Sequence, residues 1–80
     1  MSEGREIRGL IERIRPILAG REPSVQSAVI ADLLAIWLAG HFVPGEPAAT
    51  RKMRASLQSE VLRLVDELMP LNAKRLGTPV

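Results

Sequence analysis

Between Ala28 and Ala39 the only polar side chain is Asp32. On a helical wheel Ile30, Leu33, Leu34, Trp37 and Leu38 form a broad, bulky face, while Ala28, Ala31, Ala35 and Ala39 line the opposite side beside Asp32. A helix that is apolar nearly all round is buried over most of its circumference. In a three-helix monomer two neighbours cover only part of that surface. The segment is therefore expected at the centre of a dimer, or beneath another protein's helix, with Trp37 in the core in either case. The plainer alternative leaves the Ala/Asp32 strip facing water, because exposed alanine costs little.

Proline and glycine punctuate the chain into three such segments. Gly20 and Gly40 are stop signals, and Glu22-Pro23 and Glu46-Pro47 are start signals, since proline is favoured in a first helical turn where its missing N–H would go unpaired. The spacing predicts helices over about 3–19, 23–39 and 47–71, in one domain spanning 1–76, with a frayed tail at 77–80. In the first, Ile7, Leu10, Ile11, Ile14, Ile17 and Leu18 share an arc of about 120°. Arg5, Arg8, Glu12, Arg13 and Arg15 take the other side. In the third, Met53, Leu57, Val61, Leu64, Leu68 and Leu71 form one seam, and Leu62, Val65 and Met69 add an adjoining face. Pro16 and Pro70 both fall on polar sides, where a carbonyl left without its partner meets water, so each predicts a mild bend and not a break. The near-repeat of Leu18-Ala19-Gly20-Arg21 at Leu38-Ala39-Gly40-His41 reads as shared helix-stop chemistry.

Size and composition bear on the same conclusion. An 80-residue chain buries only roughly 60% of its unfolded surface, and chains this short lean on disulfides, metals or a partner. There is no Cys, and His41 is the only histidine, so neither a disulfide nor a thiolate or histidine metal site is expected. Oligomerisation or unusually good helix packing remains. Leu, Ile, Val and Ala dominate, with Trp37 and Phe42 the only aromatics, which favours helix over sheet. The expected fold is all-α, a three-helix bundle-like protomer packing as a helical homodimer. The apolar run from Ala28 to Val43 is shorter than the roughly 20 residues a spanning helix needs. Met1 to Arg15 lacks the apolar stretch of a secretory signal. A cytoplasmic protein without membrane association is expected.

No arrangement of residues carries catalytic chemistry. Asp32 is more than two turns from His41, and Ser24, Ser27, Ser56 and Ser59 have no base-and-orienter pattern around them. Asp66, Glu67 and Glu60 lack metal-ligand spacing. His41 reads as a helix C-terminal cap, and Met53 and Met69 as core filler. The arginines of the first helix are interleaved with Glu6 and Glu12, which suggests a salt-bridged solvent face. Arg51, Lys52 and Arg54 form a second basic patch and are possible anion contacts, placed where the helix dipole slightly disfavours them. No enzyme activity, cofactor or metal is expected.

The function expected is a small helical interaction or structural module, self-associating through its second and third helices. Its interface residues would be Ala28, Ala35, Ala39, Leu62, Val65 and Met69. Two alternatives stand beside it: a nucleic-acid-binding regulator using the Arg/Lys patches, and an adaptor holding a partner protein's helix in the groove between helices two and three. The nucleic-acid reading is the weaker. The net charge is only +2, no aromatic platform exists for single strands, and the connection from Gly40 to Glu46 is longer than a helix-turn-helix turn.

Overall fold

The computed structural model describes residues 2–80. These residues form three helices and no strand: α1 (Glu3–Leu18), α2 (Pro23–Ala39) and α3 (Pro47–Leu76). The all-helical class and the three elements agree with the apolar spacing. The chain divides after Leu33 into two compact units, so α2 gives its first half to one unit and its second half to the other.

The first unit holds α1, the turn at Gly20 and the start of α2. Ser2 caps α1, its hydroxyl accepting from the Arg5 N–H at 3.2 Å. Glu3 and Glu6 in the first turn and Arg15 in the last match the helix dipole. Pro16 lies inside the helix, as its position on the polar side allows. The helix ends at Leu18, one residue before the expected stop, because Ala19 turns to ψ 137° and Gly20 takes φ 77°. The carbonyls left over are satisfied locally: Arg21 Nε donates to Ile17 O at 3.2 Å and Gln26 Nε2 to Leu18 O at 2.9 Å.

The second unit is a helical hairpin, the end of α2 joined to α3 by residues 40–46. Its half-buried positions are Leu34, Leu38, His41 and Val43 on one side, and Ala49, Thr50, Met53, Arg54, Leu57 and Val61 on the other. Steps of three and four residues along each segment mark a ridge-and-groove contact. Trp37, expected in the core, is 40% exposed; its ring stands edge-on to His41 with centroids 5.0 Å apart. The bulky face of α2 is too broad for a single neighbouring helix, and Leu34 and Leu38 take the contact instead.

α3 continues past Pro70 to Leu76, beyond the expected end at 71. Its terminus is a Schellman turn. Gly77 takes φ 71°, its N–H donates to Lys74 O at 3.3 Å, and the Thr78 N–H reaches back to Ala73 O at 2.9 Å. Gly77 and Thr78, expected in a frayed tail, are thus bonded to the helix. The signal was Gly77, which matches the left-handed position better than Pro70 matches a stop. Ala73, beneath this turn, is the one buried residue among those described.

Candidate functional site

The polar chemistry of the second unit converges on the end of α2. Gly40 ends that helix without a positive φ, so its carbonyls are capped by side chains. Arg54 supplies most of this. Its Nε donates to Leu38 O and to His41 O, each at 3.0 Å, and its Nη2 donates to Ala39 O at 2.9 Å. His41 Nδ1 donates to Trp37 O at 2.7 Å, which fixes the proton on Nδ1 because a carbonyl only accepts. One turn before Arg54, the Thr50 hydroxyl accepts from the Val43 N–H at 3.0 Å and donates to Val43 O at 3.2 Å. Thr50 and Arg54 together fasten the connection and the helix end to α3.

This explains a charge that looked misplaced. A cation two turns into α3 is disfavoured by that helix's own dipole, but the hairpin sets it against the negative end of α2, where it is favoured. Arg54 is accordingly committed to backbone carbonyls. Arg51 and Lys52, its companions in the basic patch, are exposed. Arg51 helps to line an open depression together with Val43, Gly45, Glu46, Pro47, Thr50 and Arg54.

Beyond Val61 the character of α3 changes. Leu62, Leu64, Val65, Leu68, Met69, Leu71 and Leu76 are all exposed, between 40% and 65%. Leu62, Val65 and Met69 therefore share one open face, the one the sequence marks. Ala28, Ala35 and Ala39 are exposed on α2; Ala28 belongs to the first unit, and Ala35 and Ala39 to the second. On the opposite side of α3, Arg63 forks onto Glu60 and also pairs with Glu67. The Arg63 hydrogen bond holds the Glu60 carboxyl below its usual range, and Glu60 in turn raises Arg63. The ion pairs found among the described residues are these two on α3, so the interleaved charges of α1 do not form the salt-bridged face expected of them. Those residues are exposed.

Among the described residues no group of three or more His, Cys, Asp or Glu is arranged to hold a metal ion. Among the same residues no helix is long and apolar enough to cross a membrane. The arrangement offers apolar surface and backbone capping, without a cluster of reactive groups. Compared with known proteins, the chain matches no family model, no curated protein and no solved structure at a significant level.

Proposed function

We infer that this chain is a non-catalytic helical module that works by associating with itself through α2 and α3. The observation that carries this reading is that no large apolar side chain among the described residues is buried. Within the second unit alone, Leu62, Val65, Leu68, Met69 and Leu71 stand open on α3. Covering such surface at about 25 cal/mol per Å² of apolar area would supply the stabilisation that a chain this short lacks alone.

Absolute mass by size exclusion with light scattering, over a range of concentrations, is the direct test. A dimer that persists on dilution supports the reading, and a monomer at all concentrations overturns it. Ala35→Glu and Ala39→Glu then test whether the small-residue strip of α2 lies in the contact. Each should shift the dimer toward monomer; unchanged mass for both would remove that strip from the interface.

A further inference from the structure

We draw no further inference here: the strongest candidate, the open apolar face on the C-terminal half of α3 at Leu62, Val65 and Met69, carries nothing beyond the self-association already proposed, because nothing in the structure shows what covers it.

Discussion

The two halves of α3 meet fates opposite to what their composition suggests. From Pro47 to Val61 the helix is clasped by its own chain: Met53, Leu57 and Val61 are half-buried and Arg54 holds three carbonyls of the α2 end. From Leu62 to Leu76 the helix holds five leucines against the one of the first half, and every large apolar side chain stands open. The more apolar half is thus the one that is not packed within the chain. Position relative to the α2 end decides, because the hairpin turns back over only the first half.

The contrast would be broken most severely at the centre of the open half. Val65→Asp puts a carboxylate in the middle of the open apolar face through which self-association is proposed. Burying an unpaired charge costs several kcal/mol, so the dimer dissociation constant should rise at least a hundredfold, as read by light scattering on dilution. The hairpin should keep its helicity.

In the clasped half, Arg54→Met keeps the aliphatic stem and removes three hydrogen bonds to carbonyls. A loss of about 2 kcal/mol is expected, read as a lower urea midpoint at unchanged slope. The glycines sharpen the comparison further. Gly77→Ala forces a left-handed residue to carry a Cβ and should cost about 1 kcal/mol. Gly40→Ala has no positive φ to oppose, and its new Cβ would sit 3.6 Å from Ile36 O and Trp37 O, an ordinary contact. It should be neutral or slightly stabilising, since Arg54, and not glycine geometry, ends α2.

The smallest effect belongs to the exposed polar side. The Glu60 carboxyl is held low by Arg63, so its contribution is present above the usual glutamate range. That contribution is lost as pH falls through the lowered folded value. Glu60→Gln should lower the neutral plateau of a stability-versus-pH curve slightly and leave its acid end unmoved, so that the limb between them flattens; an unchanged difference between plateau and acid end would show that the pair contributes nothing.

Most of the backbone was legible in the residues. The two Glu-Pro starts, the stop at Gly20 and the alternation of apolar residues place all three helices to within a residue or so, except at the end of α3. There Pro70 was given more weight than Gly77. A proline on the polar side leaves its unpaired carbonyl to water, whereas glycine in the left-handed region closes the helix outright. The open face at Leu62, Val65 and Met69 was visible as a widening apolar arc. The clasp was not. Arg54 reaches carbonyls 13 to 16 residues back along the chain, and backbone acceptors leave no trace in side-chain identity. Its one signal was a cation set against the local dipole, which fits an anion contact equally well. Trp37 was misplaced for a related reason: the wheel gives a face but not how much of that face a single neighbour can cover.

The grip of Arg54 has a consequence for how the sequence is free to drift. Its acceptors are peptide oxygens, which every amino acid provides, so the grip itself asks nothing of the side chains of Leu38, Ala39 or His41. Tolerance toward this one contact should therefore be lopsided. Leu38 is constrained by its packing on α3 and His41 by its own cap, but only position 54 is constrained by the grip.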